Sequence, residues 1–346
     1  MSSAAADPVR VGVIGGGHWG PKLARNFQDL PVTRLLAIAE VDPARRASLA
    51  ERFPAAAVVA DHRDLLAMDL EAVAVATPAS THHALGLDAL AAGMHVLVEK
   101  PLACSVGQAD DLVSAARQAG RTLMVGHTFE YNPAVELLSR LHAASELGRL
   151  YYVHAARLNL GLFQPDINVI WDLAPHDVSI LLAILGEMPC SVRAHGHAYV
   201  RPPVEDVAWL AMKFPSGVSA HVHVSWLDPC KTRRVTLVGD RKMAVYDDVA
   251  SLDKVLIYDR GVDRPPYTDT YGEFQLSYRY GDVHAPRLAW EEPLRRECAH
   301  FADCVRSGRA PRSDGDAGRR VVLVLEAASV SLQRDGAPVS VGAVRA

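Results

Sequence analysis

Hydrophobic positions in the first 125 residues come in short solid runs. VRVGVIGGG, TRLLAIAEVD, AAVVAD, EAVAVATP, HVLVEKP and TLMVGH each read as a strand. Between them, GPKLARNFQDL, PARRASLAERF, HRDLLAM, STHHALGLDALAAG and SVGQADDLVSAARQAG carry apolar residues at helical spacing. Strands apolar on both faces need both faces covered, which implies a parallel sheet between layers of helices. Repeated right-handed crossovers then give a doubly wound sheet.

The rhythm changes after about residue 127. RLYYVHAARLNLG, CSVRAHGHAYV, DVAWLAMKFP, GVSAHVHVSWLD, RRVTLVGD, RKMAVYDD and KVLIYD are strand-like and joined by turns, which predicts a large, open, mainly antiparallel sheet. Helices are expected near 134–146 and 173–185, and EEPLRRECAHFADCVRSG and GRRVVLVLEAASVSLQRDG form two more that close the chain. The fold class is therefore α/β, with an N-terminal parallel sheet and a C-terminal α+β part. The 346 residues suit two domains. The expected division is 1–127 for a dinucleotide-binding Rossmann domain and 128–346 for substrate binding and oligomerisation.

Composition narrows the function classes. The chain is 49% hydrophobic and 22% charged with net charge −4, so a cationic nucleic-acid surface is not indicated. No apolar run approaches the roughly 18 residues of a membrane helix. The start, MSSAAADP, lacks a basic region and a long apolar stretch, so it reads as a short tail and not a signal peptide. Five scattered cysteines (104, 190, 230, 298, 304), with no CxxC pair, suggest reduced thiols and a cytoplasmic protein.

Candidate chemistry begins at GVIGGGHWG, which contains Gly15-x-Gly17-x-x-Gly20 between the first strand and the first helix. Gly15 suits a tight turn, Gly17 a close approach of backbone to a pyrophosphate, and Gly20 close packing of helix on strand. The helix N-terminus offers unpaired N–H groups to phosphates. An acid about 20 residues further on is expected to accept the ribose hydroxyls, and Glu40 stands there. Its charge would repel a 2′-phosphate, which favours NAD over NADP. Asp42 is positioned to share that role, while Arg45 and Arg46 either serve a 2′-phosphate or form a solvated helix face.

AAGMHVLVEKPLA ends the fifth strand in Glu99-Lys100-Pro101, at the strand end where ligands of open α/β sheets bind. The motifs GVIGGGHWG, ATPASTHHALGLDALAAGMHVLVEKPLA and DLAPHD occur in this order. Together they resemble the family of glucose–fructose oxidoreductase, inositol dehydrogenase and rhizopine catabolism proteins (Gfo/Idh/MocA) over nearly the whole chain. The resemblance implies a Rossmann domain followed by an open-sheet domain. It also implies NAD(P) and hydride transfer at a carbinol carbon of a sugar or cyclitol. By the family pattern His18, Trp19, Thr77, Pro78 and His82 contact the cofactor. Glu99 lies near the nicotinamide ribose, and Lys100, in a Lys–Pro bond often cis in relatives, touches the reacting hydroxyl. No metal is expected.

WDLAPHD carries the family's Asp-x-x-x-His as Asp172 and His176. Many relatives continue with an acid three residues after the histidine. Here that residue is Ser179, and Asp177 is adjacent instead, without an assigned role. Local physics allows other readings: Asp172 as an N-cap with Pro175 in the first turn, and His176 as a buried core histidine. Val178, Leu181, Leu182 and Leu185 form one helical stripe, with His176 nearly opposite. A metal site would need further ligands such as His221 and His223, which otherwise form a pair on one sheet face.

In the hydride-transfer reading His176 is the base, Asp172 orients its ring, and Lys100 donates to the reacting oxygen. RLNLG, WDLAPHD, DPCKTRRVTLVGDRKMAVYDD and EEPLRREC look like the branch that acts on nucleotide-activated sugars, often at the 3-hydroxyl. Arg157, Lys231 and Arg233 are candidates for a diphosphate, with His127 and Asn159 beside the substrate. Tyr267, Tyr271, Tyr278 and Tyr280 lie in a loop-rich stretch and are candidates for a pocket or subunit contact. Alternatives are a free-sugar or inositol dehydrogenase, a ketosugar reductase running in the opposite direction, and a non-catalytic NAD-binding regulator. An open sheet face also calls for a homodimer or homotetramer.

Overall fold

Aliphatic strands without a polar face hydrogen-bond to one another and take helices on both sides. The computed structural model describes residues 7–164, 166–263 and 277–343. In it the early runs become β1 (Val9–Ile14), β2 (Thr33–Ala39), β3 (Ala57–Val59), β4 (Ala72–Val75), β5 (His95–Glu99) and β6 (Leu123–Gly126). All pair in parallel, in the order β3-β2-β1-β4-β5-β6. That is the strand order of a doubly wound dinucleotide-binding sheet. The crossovers are α1 (Gly20–Asp29), α2 (Pro43–Arg52), α3 (His62–Leu66), α4 (His82–Ala91) and α5 (Val106–Ala119). Because the strands run one way, their carboxyl ends and the loops that leave them collect along one edge.

The second sheet follows α6 (Pro133–Ala143). It comprises β7 (Leu150–Leu158) and, after α7 (Val169–Leu185), β8 (Ser191–His197), β9 (Val207–Lys213), β10 (Ser219–Ser225), β11 (Thr232–Gly239), β12 (Met243–Asp247), β13 (Val255–Asp263) and β14 (Ser277–His284). Beyond α8 (Pro293–Ser307) and α9 (Gly315–Gln333) the strand β15 (Val339–Ser340) adds to its edge. The order is β14-β13-β12-β11-β7-β10-β9-β8-β15. Every pair is antiparallel except β7 with β10. A parallel pair requires a long crossover, and α7 supplies part of it. Strand alternation sorts the faces: in β10, Ala220, Val222 and Val224 are buried, while His221 and His223 point the other way.

The chain divides differently from a single cut at 127/128. One compact unit runs to Tyr131 and includes Glu291–Glu326; the other holds Asn132–Trp290 and the chain from Ala327. The division falls inside α9. The helix α8 thus belongs to the first unit, because its apolar face (Leu294, Cys298, Phe301, Ala302) shares a core with Val9, Val11, Leu23 and Phe27. Its distance along the chain hid that partnership.

Three element readings change. β14 is a strand where the sequence predicts loop, because its exposed, mostly polar residues give no apolar period; its ladder with β13 creates it. Tyr278 and Tyr280 stand exposed on it, whereas Tyr267 and Tyr271 lie outside the described residues. The helix α7 begins at Val169, not near 173. Asn168 is the cap, accepting from the Trp171 N–H at 3.2 Å. Asp172 is therefore inside the first turn and Pro175 inside the helix. The expected single stripe is also too narrow, since Ala174, Asp177, Val178, Ser179, Ile180, Leu181 and Ile184 are all buried.

Asp177 owes its burial to Arg157. Arg157 Nε donates to Asp177 Oδ2 at 2.7 Å and Nη2 to Oδ1 at 3.1 Å, with side chains only 5% and 1% exposed. This two-point pair ties β7 to α7 in the interior of the second unit. The expectation that Arg157 binds a diphosphate is corrected accordingly, because a phosphate would have to displace Asp177. Removing one partner of a buried pair leaves an uncompensated charge, which costs about 3–5 kcal/mol. Asp177→Ala is expected to lose stability on that scale in urea unfolding, and a loss below about 1 kcal/mol would contradict a structural role for the pair.

Candidate active site

The glycine loop is built as its spacing predicts. Gly15 has φ of +102°, and a side chain there would bring Cβ to 2.6 Å from the Ala76 carbonyl oxygen. At Gly20 a Cβ would overlap the carbonyl oxygen of Gly15 itself. Neither position admits another residue without moving the turn. Gly17 faces open space, with only Arg45 Nη1 at 4.0 Å from a Cβ placed on it. The first turn of α1 follows at once, so its free N–H groups and the open face of Gly17 suit a pyrophosphate. His18 is exposed and accepts from Lys22 Nζ at 2.9 Å. Lys22 also lies over the Trp19 ring, 4.1 Å from its centroid.

Glu40 is buried at the end of β2. Its Oε2 accepts from Gly16 N–H at 2.6 Å and its Oε1 from Asp42 N–H at 2.9 Å. The carboxylate is thereby fixed beside the glycine loop, where the ribose of a dinucleotide belongs. Asp42, which was expected to share this task, caps α2 by accepting from Arg45 N–H at 2.8 Å. That bond lowers its pKa. Arg46 donates to the carbonyl oxygens of Glu40 and Val41, and Arg45 is exposed.

Two turns at the strand ends are stapled by one imidazole. His82 is buried at the start of α4. Its Nε2 lies 2.9 Å from the Thr77 carbonyl oxygen and its Nδ1 lies 2.8 Å from that of Pro101. A neutral ring donates to one of these carbonyls and an imidazolium to both. His82 therefore joins the Thr77-Pro78 turn after β4 to the Lys100-Pro101 turn after β5, whose peptide bond is cis. The structure places it between the two turns, within reach of both carbonyls.

Glu99, also buried, takes a hydrogen bond from Lys100 N–H at 3.2 Å and one from the Trp19 indole. Burial pushes its pKa up to about 7 against the opposing pull of Lys100. His127, at the end of β6, is fully enclosed. Burial, then Lys100, drives its pKa down to about 3, so the ring is neutral. Sequence reasoning missed Glu130 and Glu297. Burial raises Glu130 to about 8, and Glu297 on α8 accepts from Thr128 Oγ1 at 2.8 Å. A signal for Glu297 existed: Leu294, Glu297 and Phe301 share one face at helical spacing, an acid on an apolar stripe.

In the second unit, Asp172 and His176 occupy adjacent turns of one face of α7. Asp172 Oδ2 accepts from the Trp226 indole at 2.9 Å. Ser179 donates to the His176 carbonyl at 2.9 Å. Asn159 is half-buried just past β7. Lys231 is exposed and Arg233 lies 3.5 Å from Asp248. His221 and His223 share a cavity of about 180 Å³ on the outer sheet face with His154, His195 and Trp209, and Trp209 stacks on His223 at 4.8 Å. No group of three or more His, Cys, Asp or Glu among the described residues is arranged to hold a metal.

A parallel sheet of this order, a glycine loop and a fixed acid at the end of β2 define a dinucleotide-dependent oxidoreductase of the NAD type. Residues 9–127 match the oxidoreductase family with an NAD-binding Rossmann fold, and 135–245 match the GFO/IDH/MocA C-terminal domain. The chain belongs to the Gfo/Idh/MocA family. It is 31% identical over 323 residues to UDP-N-acetylglucosamine 3-dehydrogenase of Acidithiobacillus ferrooxidans, covering 91% of this chain and 94% of that one. A solved structure of that enzyme superposes with a TM-score of 0.79 at 29% identity, over 94% of this chain and 98% of that chain. The NAD complex of GenD2 from gentamicin A biosynthesis gives 0.81 at 27% identity, over 98% of both chains. Similarity extends to scyllo-inositol 2-dehydrogenase (NAD(+)) of Bacillus subtilis, 25% identical over 352 residues and 98% of both chains.

A charged carboxylate at Glu40 is expected to disfavour a 2′-phosphate. Glu40→Gln keeps an oxygen for Gly16 N–H and removes the charge. The ratio of NADP to NAD dissociation constants should fall about tenfold, or ~1.4 kcal/mol. Fluorescence titration measures both, and an unchanged ratio would remove Glu40 from the discrimination.

Proposed function

We propose that this protein is an NAD-dependent dehydrogenase of a nucleotide-activated sugar, acting on a secondary hydroxyl, at C3. The observation that carries this reading is the likeness to a UDP-N-acetylglucosamine 3-dehydrogenase over more than nine-tenths of both chains, in a chain that carries Lys100, Asp172 and His176.

Bound NAD supplies the hydride acceptor, nicotinamide C4. The chain's own residues manage the proton. His176 takes it from the hydroxyl as hydride departs, a task suited to an imidazole near neutrality. Asp172, itself held by the Trp226 indole, orients that ring and stabilises its charged form. Lys100 donates to the same oxygen and favours the alkoxide. In the reverse direction protonated His176 returns the proton to a ketone. Lys231, exposed, and Arg233, half-exposed, remain the cations suited to a diphosphate, and Asn159 stays a substrate candidate.

A second reading, a free-sugar or inositol dehydrogenase, is favoured by the likeness to the scyllo-inositol enzyme. Cofactor reduction across a panel of UDP- and dTDP-sugars, free sugars and inositols separates the two. We expect turnover on a nucleotide sugar and none on the free ones, and the opposite pattern would sink the proposal. His176→Ala should lower kcat by at least about a hundredfold, and near-normal turnover would remove it as the base.

The outer face of the second sheet leaves Tyr152, Trp209 and several histidines exposed. This supports a homodimer or homotetramer, which light scattering would refute by returning a monomer mass. All five cysteines are free, which supports the reducing cytoplasm as its compartment.

A further inference from the structure

Glu297 is a carboxyl built into a hydrophobic core. It sits on α8 between Leu294 and Phe301, is fully buried, and shares its helix face with the apolar anchor of the first unit. One oxygen, Oε2, accepts from Thr128. The other, Oε1, has no donor to accept from among the described residues, and neither has Oε1 of Glu99. After burial, the strongest influence on Glu297 is the charge of Glu99, and together they hold its pKa well above the ordinary carboxyl range.

Two neighbouring buried carboxyls do not both ionise. Their surroundings decide which one does. Glu99 faces Lys100 and Lys22, a backbone N–H and the Trp19 indole. Glu297 accepts from a single hydroxyl, and burial holds neighbouring Glu130 largely protonated at neutral pH. His127 is neutral and contributes no cation. The charge therefore rests on Glu99 and the proton on Glu297.

We propose that Glu297 is a positioning residue, a neutral carboxylic acid that shares its proton with Glu99 and thereby holds the Glu99 carboxylate in place beside Lys100. A carboxylate that accepts such a bond ionises more readily than one without it. Glu297 thus keeps Glu99 charged at neutral pH, although burial opposes it. The effect on turnover rests on the role given to Lys100 above; the protonation of Glu297 does not.

Two measurements test this separately. Infrared spectroscopy of the NAD-bound enzyme at pH 7 should show a protonated-carboxyl carbonyl band that Glu297→Gln removes. Absence of such a band would overturn the proposal whatever the kinetics. Glu297→Leu cannot donate, so the acid limb of its kcat–pH profile should move to higher pH. Its kcat should fall about tenfold at pH 7 and recover as pH rises. Glu297→Gln, which retains a donor, should restore the wild-type limb and also shows that the fold tolerates change here. A Glu297→Leu profile that overlays wild type would also overturn it. If instead Lys100→Ala keeps full turnover while the infrared band is present, the assignment of Lys100 fails and the proton on Glu297 stands.

Discussion

Glu99 and Lys100 are consecutive residues with opposite fates. The carboxylate turns into the interior at the end of a strand covered on both faces, while the lysine that follows is half-exposed. Holding a carboxyl there requires donors, and the molecule gathers them from separate places. The Trp19 indole comes from the glycine loop, and Lys100 contributes its own N–H. Gly126, opposite Glu99 in the next strand, has no side chain to obstruct it; a Cβ there would lie 3.0 Å from Glu99 Oε2. The loop after β1, the turn after β5 and the end of β6 are thus mechanically linked through one buried acid. His82 adds a second link, from the turn after β4 to the cis Lys100-Pro101 turn.

The second unit solves a related problem by another route. Arg157 and Asp177 bury opposite charges against each other, so neither needs solvent. The helix α7 is then free to present Asp172 and His176 from its first two turns. Pro175 lies between them inside the helix and leaves the Trp171 carbonyl without its i+4 N–H donor. An acid inside the helix is fixed by an indole from beyond β10, and the histidine four residues on lies over the same face. Both units therefore orient an acid by a tryptophan N–H, Trp19 for Glu99 and Trp226 for Asp172.

Local chemistry was legible where a feature depends on residues close in sequence. The glycine spacing, Glu40 at the end of β2, the parallel sheet and the Asp172–His176 spacing were all read from runs and periods. What failed were features owed to distant partners. Asp172 resembled a helix cap because Asn168 and its buried successors carry no period of their own. Arg157 resembled a phosphate ligand because nothing near it in sequence announces Asp177. β14 has too few apolar residues to register, and exists through its pairing with β13.

The sequence by itself determined the strand–helix alternation, the dinucleotide loop and the family to which the chain belongs, because each is written in spacings of a few residues. Tertiary structure alone decided that α8 returns to the first unit and brings Glu297 into its core. It also decided that Asp177 neutralises Arg157 and that Asp42 caps a helix. Burial is the reason. Whether a charged residue is a ligand, a cap or a structural partner depends on which groups share its desolvated space, and those groups come from anywhere along the chain.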